Sequence, residues 1–136
     1  MTQLLSVVIL AMTSLTEANK KVSEIKCNPA PHFKSWWQEG FEAVYTDLGV
    51  EGTTGRVEVL PGGCSELSKA IRHGVTTNAQ VCSTRGDKIY PSRAYLSSYI
   101  LDIHNVCTGK DLPHDVKEGI LEDTDGYYVR VYNDAQ

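Results

Sequence analysis

The stretch EGILEDTDGYYVRVY, residues 118–132, decides how this chain folds. In its second half the residues alternate, which places Tyr128, Arg130 and Tyr132 on one face of a strand and their neighbours on the other. The two halves flank the tetrapeptide DTDG, in which Gly126 supplies the positive φ angle that a tight turn requires. The stretch therefore predicts a β-hairpin near the end of the chain.

A long helix is predicted upstream of this hairpin. Pro91 and Ser92 are typical of a helix start, and Gly109 is typical of a helix end. Between them, apolar side chains recur at helical spacing and form one stripe, made of Leu96, Tyr99, Ile100, Ile103 and Cys107.

Four more elements precede the long helix. The first helix has the capping-box pair Ser35 and Gln38 at its start and Gly49 at its end. The predicted elements are a helix at 35–48, a strand at 56–60, a helix at 64–73 and a strand at 79–83. The whole order indicates an α+β fold, a two-layer sandwich in which helices pack on one face of a mainly antiparallel, disulfide-stapled sheet.

Residues 1–18 are predicted to be a secretory signal peptide. The apolar run LLSVVILAM, which begins at Leu4, is followed by small and polar residues up to a cleavage-like position at Ala18. The run is shorter than the about 20 residues that span a bilayer, and the alternative is a buried N-terminal strand or helix. Residues 19–34 are interpreted as a loose N-terminal arm, and residues 35–136 as a single α+β domain.

Four cysteines in a secreted chain of 136 residues indicate two disulfides. The chain has no C-x-x-C pair, which argues against a zinc site. Three pairings are possible, and we expect Cys64–Cys82 and Cys27–Cys107. A chain that leaves a strand, passes through a helix and returns to the sheet brings the first pair together. The second pair joins the arm to the end of the long helix.

The composition and the motifs exclude several classes of function. The formal net charge of −4 argues against nucleic acid as a partner, since no basic surplus neutralises phosphates. Neither G-x-S-x-G nor H-E-x-x-H occurs, so no catalytic residue, metal or cofactor is predicted. The alternative is a small secreted hydrolase such as a ribonuclease. Its only candidate catalytic residues come from separate elements, and they are His104, Glu58, Arg130 and Tyr128. The RGD tripeptide at residues 85–87 is interpreted as a turn.

Two groups of side chains are candidate partner contacts. Trp36 and Trp37 are adjacent on a helix, so only one of them points fully inward. Trp37 fits the core stripe, which leaves Trp36 for a contact. Tyr128, Arg130 and Tyr132 form a second candidate contact if the second face of the sheet is uncovered.

Four motifs in the segment from Gly63 to Tyr132 follow one another in a fixed order. They are GCSELSKAI, then VCS, then a helix ending HNVCTG, then GYYVRVY. This order resembles small secreted fungal effectors and virally encoded killer toxins, which share a killer-toxin-like α/β sandwich. The toxins are usually richer in cysteine and often basic. The resemblance therefore implies a fungal effector more than a killer toxin.

We therefore expect a secreted, extracellular virulence or avirulence effector that binds a host protein without catalysis. It would act in the host apoplast or host cytoplasm, as a monomer and without stable insertion into a membrane. The alternatives are a killer-toxin-like antimicrobial that perturbs membranes or channels and the small secreted hydrolase.

Overall fold

The computed structural model describes residues 22–29, 36–108 and 116–134. The predicted signal peptide, residues 1–18, lies outside the described residues. The elements in chain order are strand β1 (Val22–Pro29), helix α1 (Trp36–Thr46), a 3₁₀ turn (Glu51–Thr53), strands β2 (Cys64–Arg72) and β3 (Val75–Ser83), helix α2 (Arg93–Cys107), and strands β4 (Val116–Asp123) and β5 (Tyr127–Asp134).

The five strands form one antiparallel sheet in the order β1-β4-β5-β3-β2. Strand β5 lies at its centre and is joined to β4 by the predicted tight turn, where Gly126 has a φ angle of +88°. Val129 and Val131 are buried, whereas Tyr128, Arg130 and Tyr132 are half-buried on the opposite face. The hairpin and its two faces are thus confirmed.

The helix predicted at 64–73 is wrong, because this segment is strand β2. A register shift between Glu66 and Ser68 interrupts the two-residue alternation of the strand. Leu67 and Ala70 therefore both pack against the core although they are three residues apart, which imitates helical spacing. The glycine expected to end a helix, Gly74, instead forms the β2–β3 turn, with a φ angle of +76°.

Two further segments differ from their predicted structure. The loose arm is wrong over Val22–Pro29, which pairs with β4 as an edge strand. Glu24, Lys26 and Asn28 are exposed while Ile25 and Cys27 pack against the core, and polar residues are common on such edges. The segment 56–60 forms only isolated bridges, although Val57 and Val59 are buried.

The strand predicted at 79–83 is confirmed as part of β3.

Both long helices are confirmed. Helix α2 begins after Ser92, whose hydroxyl accepts a hydrogen bond from the Ala94 amide at 3.2 Å. All five residues of its predicted apolar stripe are buried. Helix α1 is followed by Gly49, which has a φ angle of +64°.

Two glycines lie where the helices and the sheet come into close contact. A Cβ added at Gly119 in β4 would overlap Ile103 of α2 and lie 3.5 Å from Phe41 of α1. A Cβ added at Gly40 in α1 would overlap the Thr77 side chain of β3. The predicted α+β class with an antiparallel sheet is therefore confirmed.

Both predicted disulfides are present. Cys27–Cys107 joins β1 to the last residue of α2, with a Cα–Cα distance of 5.4 Å. Cys64–Cys82 joins β2 to β3, with a Cα–Cα distance of 4.0 Å. The second disulfide is a bridge between neighbouring strands, so its pairing was predicted correctly although the helix-to-strand reason for it was wrong.

Candidate functional site

The face of β5 opposite the buried Val129 and Val131 presents the three predicted contact residues. Tyr128, Arg130 and Tyr132 are half-buried there, and together with Glu118 of β4 they are called the open-face strip. The guanidinium carbon of Arg130 lies 3.8 Å from the centroid of the Tyr132 ring, which is a cation–π contact. The Nε of Arg130 donates a hydrogen bond to the Glu118 carboxylate.

A residue of a third strand, β1, also forms a hydrogen bond to the open-face strip. The Asn28 side-chain amide of β1 donates a hydrogen bond of 2.7 Å to the other oxygen of Glu118. Asn28, Glu118 and Arg130 therefore link three neighbouring strands through their side chains. A long cationic side chain held in this way loses less conformational entropy when a partner binds.

The other predicted contact residue, Trp36, is the first residue of α1. The side chains of Trp36 and Trp37 lie outside the described residues. The interpretation of Trp36 as a contact therefore stays a prediction.

The loose catalytic candidates do not meet at one site. His104 lies on α2, and its Nδ1 is 3.2 Å from the Asn105 side chain. Tyr128 and Arg130 lie on β5, on the face opposite its buried valines, and Glu58 is paired with Lys88 at 4.0 Å. Over residues 22–29, 36–108 and 116–134, no group of three or more His, Cys, Asp or Glu residues is placed to hold a metal.

The first and last residues of the RGD tripeptide form an ion pair with each other. The Arg85 guanidinium donates two hydrogen bonds to the Asp87 carboxylate, from Nε at 2.8 Å and from Nη2 at 2.7 Å. Both side chains are exposed, and the pair stabilises the turn that the sequence predicts. The charges of Arg85 and Asp87 are thus paired with each other.

A buried carboxylate lies where the β4–β5 hairpin turns. Asp123 is 7% exposed, and it accepts a hydrogen bond of 2.5 Å from the Tyr99 hydroxyl and one of 2.7 Å from the Asp125 amide. The Tyr127 phenol belongs to the same cluster, because Asp123 and Tyr99 both act on its pKa. The buried charge is therefore satisfied by donors from the helix and from the hairpin.

Sequence reasoning missed this cluster. Its signal was a tyrosine within the apolar stripe of α2, since a buried phenol normally needs a hydrogen-bond partner. Burial is the largest cause that raises the pKa of both Tyr99 and Tyr127 above the ordinary value of 10.0, and Asp123 raises both further. The folded chain therefore favours the neutral phenols.

Alkaline solution should consequently destabilise the protein. Below about pH 10 the full contribution of the two phenols is present, and above it the unfolded chain loses their protons first. The free energy of unfolding should then fall by about 1.4 kcal/mol per pH unit for each phenol, as measured by urea unfolding up to about pH 11. All four cysteines are in disulfides, so no free thiol starts disulfide exchange at high pH.

Tyr99→Phe is the variant that tests this pH dependence. It should remove about half of the additional alkaline slope, because one of two phenols no longer titrates. The control Tyr90→Phe alters a tyrosine that is 50% exposed and should keep the full slope. Equal slopes in the wild type and in Tyr99→Phe would contradict the proposed cause.

A cleft of about 390 Å³ lies beside the hairpin turn. Sequence reasoning missed it, because its residues come from three separate segments of the chain. It combines cationic and aromatic side chains, among them Arg56, Arg85, Lys88, Tyr90, Tyr95 and Tyr127.

Comparison of the chain with family models, with curated proteins and with solved structures gives no match. Neither helix in the described part of the chain is long and apolar enough to cross a membrane. The function is therefore inferred from the residues and geometry described above.

Proposed function

We propose that this protein is a secreted effector that binds a host protein, without catalysis, through the open-face strip. The observation that carries the proposal is the fixed position of Arg130, stacked on Tyr132 and hydrogen-bonded to Glu118. Tyrosine and arginine are enriched among the residues that contribute most to protein–protein binding. Tyr128 extends the same surface along β5.

Two other features support this proposal. Both disulfides are typical of chains that fold in an oxidising compartment, and the motif order resembles secreted fungal effectors. We also infer a two-layer sandwich, because both helices approach the inner face of the sheet at Gly40 and Gly119. In such an arrangement the helices cover one face and leave the other to a partner.

Affinity capture from host extract tests the proposal. The wild-type chain is compared with Tyr128→Ser/Tyr132→Ser, which removes both rings and leaves the Arg130–Glu118 pair. A captured protein is then purified and titrated against both chains. The double variant should bind it roughly 30-fold more weakly, because interface hot-spot residues contribute about 2 kcal/mol or more.

Lys69→Ala is the matched control. Lys69 is an exposed residue of β2, and it lies two strands away from Tyr132, since Asn78 of β3 pairs with both residues. This control should bind like the wild type, and all three chains should unfold at similar urea concentrations. A purified partner that binds the double variant and the wild type equally would refute the role of the strip. Hydrolysis of RNA or glycan at an ordinary enzymatic rate, lost in His104→Ala, would refute the non-enzymatic proposal.

A further inference from the structure

We propose that the cleft beside the hairpin turn is a binding site for a small aromatic anion, that is, one ring carrying an anionic group. The cleft shares no lining residue with the open-face strip. The inference therefore goes beyond the proposed function, and each of the two can fail without the other. Four properties of the cleft support it, namely size, charge, aromatic walls and a fixed backbone.

The size of the cleft suits a ligand with a single ring. Its volume of about 390 Å³ lies near the lower end of the range of roughly 300–1,000 Å³ that is usual for small-molecule sites. A ring with one charged substituent fits such a volume.

The charge of the cleft favours an anion. Its lining contains three cationic side chains and two carboxylates, Asp87 and Asp125, so the lining itself has one cation in excess in a chain whose formal net charge is −4. Arg85 is neutralised by Asp87, and Lys88 lies 4.0 Å from Glu58. Arg56 is left as the principal cation of the site.

The position of Arg56 makes it suitable for binding an anion. Its Nη1 donates a hydrogen bond of 2.8 Å to the Tyr90 carbonyl, which fixes the side chain against the backbone. Among the described residues no carboxylate pairs with it. Its remaining N–H groups are therefore available, and a planar guanidinium binds a phosphate or carboxylate through two parallel hydrogen bonds.

Two tyrosines line the same cleft as this guanidinium. Tyr90 is 50% exposed and Tyr95 is 37% exposed, and both line the cleft. Rings that are accessible in a cleft favour stacking with a flat ligand. Tyr127 also lines the cleft, although it is only 9% exposed.

The backbone that holds Arg56 and Tyr90 is fixed. Val59 and Ile89 exchange two hydrogen bonds of 3.0 Å, and the Val57 amide donates to the Pro91 carbonyl at 3.1 Å. Arg56 and Tyr90 alternate with these residues on the two paired segments. A binding site on paired backbone is better preorganised than one on an unpaired loop.

Titration of the ¹⁵N-labelled chain with phenyl phosphate, followed by two-dimensional NMR, tests the proposal. Saturable shifts are expected for the amides of Arg56, Tyr90 and Tyr95. Phenol and inorganic phosphate should each bind at least about fivefold more weakly, since each lacks one half of the ligand. Benzoate serves as a further probe, and its affinity relative to phenyl phosphate indicates which anionic group the site prefers.

Arg56→Gln should weaken phenyl phosphate binding about tenfold or more, because a charge-assisted hydrogen bond is lost. Arg56→Lys should fall between this variant and the wild type, since it keeps the charge but not the planar donors. The control Arg72→Gln removes an exposed cation that is paired with Asp47, outside the cleft, and should bind normally. Tyr128→Ser/Tyr132→Ser should also bind normally, which separates this test from that of the proposed function.

Three results would overturn the proposal. The first is unsaturable shifts spread over the surface, and the second is unchanged affinity in a folded Arg56→Gln variant. The third is inorganic phosphate binding as tightly as phenyl phosphate, which would show that the rings of Tyr90 and Tyr95 take no part.

Discussion

Replacing Cys27 and Cys107 together by alanine should lower the free energy of unfolding by about 4.5 kcal/mol. The two residues are 80 positions apart, and a disulfide that closes so long a loop strongly restricts the unfolded chain. Urea unfolding followed by circular dichroism measures the loss. Amide hydrogen exchange should also accelerate in β1, because this edge strand would be held only by its pairing with β4.

The second disulfide provides the matched control for the first. Cys64 and Cys82 are 18 positions apart, so their replacement by alanine should cost about 3 kcal/mol. Exchange in β1 should stay slow in this control. An equal or larger loss of stability on removing Cys64–Cys82 would argue against loop length as the main cause.

Tyr99→Ala should be the most destabilising replacement of a single non-cysteine side chain in α2. Tyr99 is fully buried, and deleting an aromatic side chain from a core costs about 3–5 kcal/mol. The change also removes the hydroxyl that donates to Asp123, which leaves a buried carboxylate with one donor fewer. Chemical unfolding at neutral pH measures the total.

Tyr99→Phe divides this effect into its two parts. It keeps the ring and removes only the hydrogen bond, so it should cost about 1–3 kcal/mol. Tyr95→Phe, on the same helix but 37% exposed, should change the stability by less than about 0.5 kcal/mol. If Tyr99→Phe were as stable as the wild type, the hydrogen bond to Asp123 would contribute nothing to folding.

The parts of the fold that the sequence predicts correctly are those with local signals. The β4–β5 hairpin has its turn glycine and its alternation within 15 residues, and α2 has a cap, a stripe and an end. The disulfide pairing was predicted correctly among the three arrangements that four cysteines allow, but Cys64–Cys82 was chosen for a helix that the structure shows as a strand. The two half-buried tyrosines of β5 and Arg130 were placed on the correct face by alternation alone.

The remaining features depend on contacts between distant segments. Strand β1 is polar and pairs with residues about 90 positions later, as Asn28 with Glu118 shows. Strand β2 contains an irregularity that its sequence does not mark. The cleft joins Arg56 to Tyr90 across 34 positions, and the buried cluster joins Tyr99 to Asp123 across 24. No local pattern specifies such pairs.

The pairing of β1 with β4 also limits when β1 can join the sheet during synthesis. A ribosome makes β1 before every other strand of the sheet, yet the partner of β1 is made almost a hundred residues later. The β2–β3 hairpin, by contrast, is complete within 20 residues and contains both members of its own disulfide. Strand β1 therefore cannot take its place in the sheet before β4 has been made, and Cys27 can reach Cys107 only after both cysteines of the β2–β3 hairpin have been synthesised.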